Sequence, residues 1–360
     1  MPRYEIADTA VLDSALRASW NGLRGNDPVF ASPYFSPEFY EAAASVTRSS
    51  RLLIVEDAGA AVALLPFQRR LAGLCGPIGS HLNDIHGLIA RPDFNLPADA
   101  VLEQGGVPML SLRHAPIGAT SLGARFGTPH AFHVIDLADG YNAYEARRLP
   151  FAKKTFRWLR SRAEMVRNQY GSVTHVFEDV NPANLEKLIS WKRSQYATTG
   201  QPSLFDIGWS RELVERLHTS RDPDLKGQLS CLYFGDELVA AHLGLRNRDV
   251  LHYWFPGYDP AFSAFSPGNM LLRLMAEAAA GEGCKAVHLG AGDYHYKQEF
   301  ADRTFAVTDG VAFARSFMGR TAAAAGLALA RVDQALPERL AGLPAKALRR
   351  IDRQLAFKAA

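Results

Sequence analysis

Residues 290–300, GAGDYHYKQEF, are the stretch of the chain richest in reactive groups: carboxylates at Asp293 and Glu299, phenols at Tyr294 and Tyr296, an imidazole at His295 and an amine at Lys297. Such a set can take up a proton, return one, and hold a developing negative charge. Asp293 is the first candidate for a base by its position, with His288 and Glu299 behind it. Tyr294 or Tyr296 can give a proton to a leaving group, and spacing does not choose between them. His288 alternates with Val287 and Leu289 in a strand pattern, so a face-lining histidine is the equal alternative. For Lys297 the alternative is a surface lysine paired with Asp293 or Glu299.

Upstream, Phe265-Ser266-Pro267-Gly268-Asn269-Met270 opens a helical pattern and has the makings of a pyrophosphate site. A helix N-terminus gathers free N–H groups and the positive end of the dipole. Gly268 permits close backbone approach, Pro267 pre-sets the entry, and the N–H groups of Gly268, Asn269 and Met270 are expected to point outward beside Ser266. The same tripeptide also starts helices that bind nothing. Contacts to a second substrate are expected from neighbouring strands carrying His242, His252 and Tyr253, with Trp254 as a flat surface on which a sugar can stack. Strand Trp and Tyr are also ordinary core. His81, Asp84 and His86 lie together in a polar run, but three loose ligands on a loop are a weak signal and no metal is expected.

The elements that must hold these groups are legible in outline. Residues 51–70 read as two apolar runs joined at Asp57-Ala58-Gly59, and 228–246 repeats the figure around Gly235-Asp236-Glu237. This self-similarity suggests a duplicated unit. The first half adds helices near 11–23 and from Ser36-Pro37, and strands at 108–113 and 132–137. In the second half Phe156, Leu159, Ala163, Val166 and Tyr170 recur at helical steps, opposite Lys153, Arg157 and Arg160. A helix capped by Asn181 and ended by Gly200 follows, then one near 211–219, strands at 228–234, 238–246 and 250–255, a helix over 268–280, a strand at 286–289 and a strand pair over roughly 304–314.

A chain of 360 residues accommodates two domains, and 48% hydrophobic with 21% charged residues is an ordinary globular composition. The start, MPRYEIADTA, has no apolar run of the export type, and no stretch approaches the ~20 apolar residues of a membrane span. Cys75, Cys231 and Cys284 show no CxxC spacing, which argues against a disulfide framework or a zinc site. The net charge of +3 conceals two basic segments: 147–167 holds eight basic residues against one acid, and 315–360 nine against three.

WKRSQYATTG (191–200), LVAAHLGLR (238–246), LHYWFPGYDP (251–260) and residues 266–300 together resemble the GNAT acetyltransferase domain of CelD-like proteins of exopolysaccharide and cellulose biosynthesis, relatives of the Fem-type peptidyltransferases. The likeness covers about 145–315, and the first half by position and pattern only. It implies an α/β fold with a mixed sheet and tandem GNAT-like domains, the C-terminal one better matched. Expected boundaries are 1–140, 141–315 and a basic helical tail at 316–360. It also implies transfer of an acyl group, most often from acetyl-CoA, to an amine or less often a hydroxyl. Lys297 and Phe300 match the Lys-x-x-Phe element of Fem-type enzymes, where the lysine stabilises the tetrahedral intermediate. Similar relatives carry an Asp-containing element near Asp84 and His86, which makes these lip residues.

No G-x-S-x-G elbow or Ser-His-Asp set points to an acyl-enzyme, so direct attack in a ternary complex is expected. Ser266-Pro267-Gly268-Asn269 replaces the usual GNAT pyrophosphate loop. The acceptor class implied is an amino sugar, nucleotide sugar or glycan-linked amine. Two alternatives stay open: a Fem-like transferase taking its donor from aminoacyl-tRNA through the basic helix, and a non-catalytic module binding a glycan or partner. A cytoplasmic location is expected. The tail from Arg339, with Leu340, Leu343, Leu348, Ile351 and Leu355 among basic residues, either packs on the domain or lies on the inner membrane face.

Overall fold

The computed structural model describes residues 2–335, apart from 9, 71–72, 126, 199 and 201–202. In chain order the elements are β1 (Arg3–Ala7), α1 (Ser14–Arg24), α2 (Pro37–Val46), β2 (Ser50–Asp57), β3 (Ala60–Arg69), β4 (Leu74–Pro77), β5 (Ile89–Ala90), α3 (Ala98–Gln104), β6 (Met109–Pro116) and β7 (Pro129–Asp136). They continue with α4 (Tyr141–Tyr170), β8 (Val173–Asp179), α5 (Pro182–Thr198), α6 (Gly208–Thr219), β9 (Lys226–Phe234), β10 (Glu237–Arg246), β11 (Val250–Tyr258), α7 (Pro267–Gly281), β12 (Ala286–Ala291), α8 (His295–Phe300), β13 (Arg303–Phe313) and α9 (Phe317–Ala335).

Two compact units form, and the chain interleaves them. The first holds most of residues 1–130 and the chain from Ala306 onward, the second residues 131–305 with a short piece at 31–33. In the first unit the strand order is β1-β2-β3-β4-β6-β13, with β5 beside β3. Among the described residues its pairings are antiparallel except β4 with β6. In the second the order is β8-β9-β10-β11-β12-β7, antiparallel throughout except β11 with β12. The helices match as well: two between the first and second strands of each unit, one before the fifth. This common plan is the duplication that the two hairpins suggested, with β2–β3 standing where β9–β10 stand.

The units divide at 130/131 and 305/306 because strand pairing decides membership. β7, on the N-terminal side of the expected 140/141 boundary, completes the second sheet on β12, and β13 from Ala306 completes the first on β6. The strand pair expected over 304–314 is a single strand. A register shift between Thr308 and Gly310 absorbs the irregularity, and a Cβ at Gly310 would lie 2.7 Å from the Arg125 carbonyl oxygen.

Local chemistry explains the turns. The β2–β3 loop is two residues with positive φ, Ala58 at 51° and Gly59 at 81°, the arrangement that matches strand twist. In the β9–β10 loop Gly235 has φ 58°, and a Cβ there would approach the Tyr170 carbonyl oxygen to 2.8 Å. The second unit's core packs Phe156, Leu159 and Val166 of α4 and Met270, Leu271 and Met275 of α7 against Leu251, Tyr253, Val287 and Leu289. That of the first packs Val101 and Leu102 of α3 against Leu53, Leu65, Leu110 and Leu112. The cysteines are buried small residues, with burial raising each thiol.

Candidate active site

β11 and β12 pair only over three residues, Val250–His252 with Ala286–His288. β11 then runs on to Tyr258 and β12 to Ala291 with no further pairing between them among the described residues. Parallel strands that part in this way expose backbone donors and acceptors on both sides of a cleft, and buried ones need a partner. What β11 leads into is α7. Ser266 turns the chain in the left-handed region (φ 54°, ψ 53°), Pro267 begins the helix, and no side chain caps it. A Cβ on Gly268 would have Tyr258 Cδ1, at 3.6 Å, as its nearest neighbour, so the backbone here is open. Asn269 is half-buried beside it. Met270 departs from expectation: its N–H donates to the Ser266 carbonyl at 3.1 Å and its side chain lies in the core. The first-turn donors left for an anion are therefore those of Gly268 and Asn269.

β12 leads into α8, the one-turn helix that sequence reading did not foresee. α4 holds it from behind: Tyr144 Oη donates to the Phe300 carbonyl at 2.7 Å, Arg148 Nε to the Glu299 carbonyl at 2.6 Å, and Phe156 packs on Phe300 with ring centroids 5.6 Å apart. Lys297 is consequently turned inward and is 5% exposed, its Nζ donating to the Ala291 carbonyl at 2.5 Å with the Tyr294 ring 5.4 Å away. An ammonium buried at the end of the parting strand is not the surface lysine of the alternative reading. Asp293 and Tyr294 are exposed. Glu299 accepts from Thr155 Oγ1 and lies 3.7 Å from His295. Tyr296 is half-buried, with Tyr253 and Tyr294 each 6.1 Å away between ring centroids.

The strand histidines are deeply buried. His242 accepts the Trp254 N–H at Nε2 (3.0 Å) and stacks on Tyr253 at 4.4 Å, bracing a β10 register shift. His288 packs edge-on against Phe132 and near His252. Burial, reinforced by His252, pushes both His242 and His288 down to about 3, so both are neutral rings at physiological pH. Tyr253 is buried, and Trp254 is half-buried against Phe255 at 4.5 Å. Asp84 and His86 belong to the first unit. There His86 is buried on the Pro66 carbonyl (2.8 Å) and held down to about 4 by burial, while the Asp84 carboxylate lies 3.2 Å from His114 Nδ1.

Two groups escaped sequence reading. His133 on β7 pairs with Gly290, is 7% exposed, and has no hydrogen-bond partner at Nε2 among the described residues. Burial and then the charge of Lys297 hold its ring below the ordinary value, against the pull of Asp293, which sets these three groups in one electrostatic neighbourhood. Its only signal is the long-range pairing of β7 with β12. Lys192 of α5 is buried, donates to Gln195 Oε1 at 2.8 Å, and is pushed down to about 8 by burial.

Residues 153–298 match the model of the acetyltransferase (GNAT) domain. No relative is found among curated proteins. Of solved structures, a conserved protein of unknown function from Bacteroides thetaiotaomicron is similar at 10% identity and TM-score 0.53, over 86% of this chain and 100% of that one. FemX (9% identity, TM-score 0.49, 77% and 90%) and a tandem GNAT protein from the clavulanic acid biosynthesis pathway (12%, 0.46, 87% and 99%) are also similar. The chain is an α/β protein of two units sharing one mixed-sheet plan, and the stretch that matches the acetyltransferase (GNAT) domain model lies in the second of them.

Proposed function

We propose that the second unit is an N-acyltransferase of the CelD-like type that moves an acyl group, most often acetyl, from acyl-CoA to the amine of an amino sugar, nucleotide sugar or glycan-related acceptor. The observation that carries this reading is the parting of β11 from β12 between an uncapped helix N-terminus and a buried lysine. In this reading the pyrophosphate rests on Ser266, Gly268 and Asn269, and the pantetheine arm lies along the free edges of the parted strands, where their amides find partners. The thioester then reaches Tyr296 and Lys297.

The acceptor nitrogen attacks the thioester carbon directly; a C–N bond forms, and the carbonyl electrons move to oxygen, where Lys297 Nζ stabilises them. Collapse of this intermediate breaks the C–S bond. His133, neutral and buried beside Asp293, takes the proton from nitrogen, and Tyr296 returns one to the departing thiolate. His288 and His242, held at about 3, line and brace the sheet instead. Trp254 and the exposed Tyr294 offer ring faces to a sugar.

A second reading, aminoacyl transfer from tRNA, is favoured by one observation: Lys153, Lys154 and Arg157 are exposed on α4 beside the exposed Phe151 and Trp158, a cationic and aromatic face suited to nucleic acid. Among the described residues no helix is long and apolar enough to cross a membrane; the cytoplasmic location is part of the proposal. The contact of the basic tail with a membrane falls on residues outside those described. Thiol release from acetyl-CoA with a panel of amino sugars tests the function. Release that needs an acceptor, survives RNase and is lost in Lys297→Ala supports acyl-CoA as donor. RNase-sensitive transfer supports tRNA, and binding of glycan without any transfer favours a non-catalytic module.

A further inference from the structure

In the first unit, the geometry points to a divalent transition-metal site made by His114 of β6, His130 at the start of β7 and Asp309 of β13, with zinc the ion that suits it best. One donor atom from each of the three lies within 4.8 Å of the others. Asp309 is far in sequence from both histidines, and sheet pairing brings it to them at an irregular place. Between Ala115–Thr308 and Leu112–Gly310 the register shifts, so that Asp309 stands against both Arg113 and His114. His114 sits at φ 47°, a region a β-carbon disfavours, and its N–H donates to Asp309 Oδ1 at 2.8 Å. Bulges and strained residues of this kind re-aim side chains at functional sites.

Both imidazoles are oriented as metal ligands are. His114 Nδ1 is 2.8 Å from the Asp84 carbonyl and His130 Nδ1 is 2.9 Å from the Thr128 carbonyl. A carbonyl accepts only, so the proton sits at Nδ1 in each ring and the bare lone pair is at Nε2. This is the arrangement by which a ligating histidine donates its other nitrogen to a backbone oxygen. His114 Nε2 is already 3.8 Å from Asp309 Oδ1. A tetrahedral zinc with ligands at 2.0–2.1 Å needs ligand atoms roughly 3.3 Å apart, so binding requires the three side chains to close on the ion. Two imidazoles and one carboxylate select zinc or a neighbouring transition metal over calcium or magnesium, and leave a fourth position for solvent. Bound there, the ion ties β6, β13 and the first residues of β7 together within the unit.

Titration of the metal-stripped full chain with zinc, against a chromophoric chelator, tests this without any assay of transfer. The expected result is one equivalent bound, a raised melting temperature, and affinity at least tenfold weaker in His130→Gln and in Asp309→Asn. His295→Ala, which removes an exposed imidazole elsewhere (85% exposed), is expected to bind as the wild type does. Asp309→Asn keeps an acceptor for the His114 N–H and is half-exposed, so its metal-free fold is expected to persist by circular dichroism. Absence of a one-equivalent site, or wild-type affinity in both ligand variants, overturns the proposal.

Discussion

Lys297 and His133 make opposite demands on one small volume. In the proposed mechanism Lys297 supplies positive charge to the oxyanion, and that charge, after burial, lowers His133 and favours its neutral ring. Removing a preorganised oxyanion donor costs about 10²–10³ in kcat. Lys297→Ala is accordingly expected to lower kcat about a hundredfold while leaving the dissociation constant for acyl-CoA within a few-fold; loss of donor binding with unchanged kcat would refute its role. His133 has a folded-state value below the ordinary 6.5, so it is neutral above that value and gains a proton only in more acid solution. The pH profile of kcat/KM should therefore fall on an acid limb lying below pH 6.5, and His133→Asn should flatten that limb. A limb unchanged in the variant would return the base role to Asp293. That residues 290–300 gather carboxylates, phenols, an imidazole and an amine was legible from residue types alone. His133 was not, because nothing local marks it and only the β7–β12 pairing brings it to Gly290.

Among the elements, α8 owes its position to α4. Six residues are too few for an independently stable helix, and Tyr144, Arg148 and Phe156 provide the missing stabilisation. Arg148→Ala should lower kcat roughly tenfold with little change in donor affinity, since it releases the carbonyls at Gln298 and Glu299 without touching α7. Equal losses in both quantities would show instead that α8 does not act alone. The strands β9 to β11, the helix α7 and the Asn181 cap of α5, where Asn181 Oδ1 accepts the Ala183 N–H at 3.0 Å, follow from alternation, period and capping. The start of α4 was missed because Pro150 lies inside it; the helix continues through a kink at Ala152 (φ −117°). Of the basic run in α4, Arg147 pairs with Asp302 at 2.9 Å and Arg160 with Glu145 at 3.3 Å, so part of that charge serves the fold.

Across the whole molecule, burial of neutral histidine is expected to make stability fall in acid. His86 is held at about 4 and His242 and His288 at about 3, all below the 6.5 of an unfolded chain. Between these values the unfolded chain binds more protons than the folded one, so the stability these rings contribute is fully present above pH 6.5 and is lost as pH falls toward 3. Each contributes at most about 1.4 kcal/mol per pH unit between 6.5 and its own folded value. Urea midpoints should fall steadily from pH 7 to pH 4.5, less steeply in His288→Leu; a flat profile would contradict the burial argument. Duplication was visible in two hairpins, whereas the exchange of β7 and β13 was not, because strand partners far apart in sequence leave no periodic trace. Calorimetric titration of the full chain with acetyl-CoA, repeated on Gly268→Glu, decides whether a donor site lies at the start of α7. One site in the micromolar range, about −8 kcal/mol, is expected in the wild type, abolished by a carboxylate placed where the pyrophosphate should lie. Undiminished binding by the variant, or none by the wild type, would contradict a donor site there.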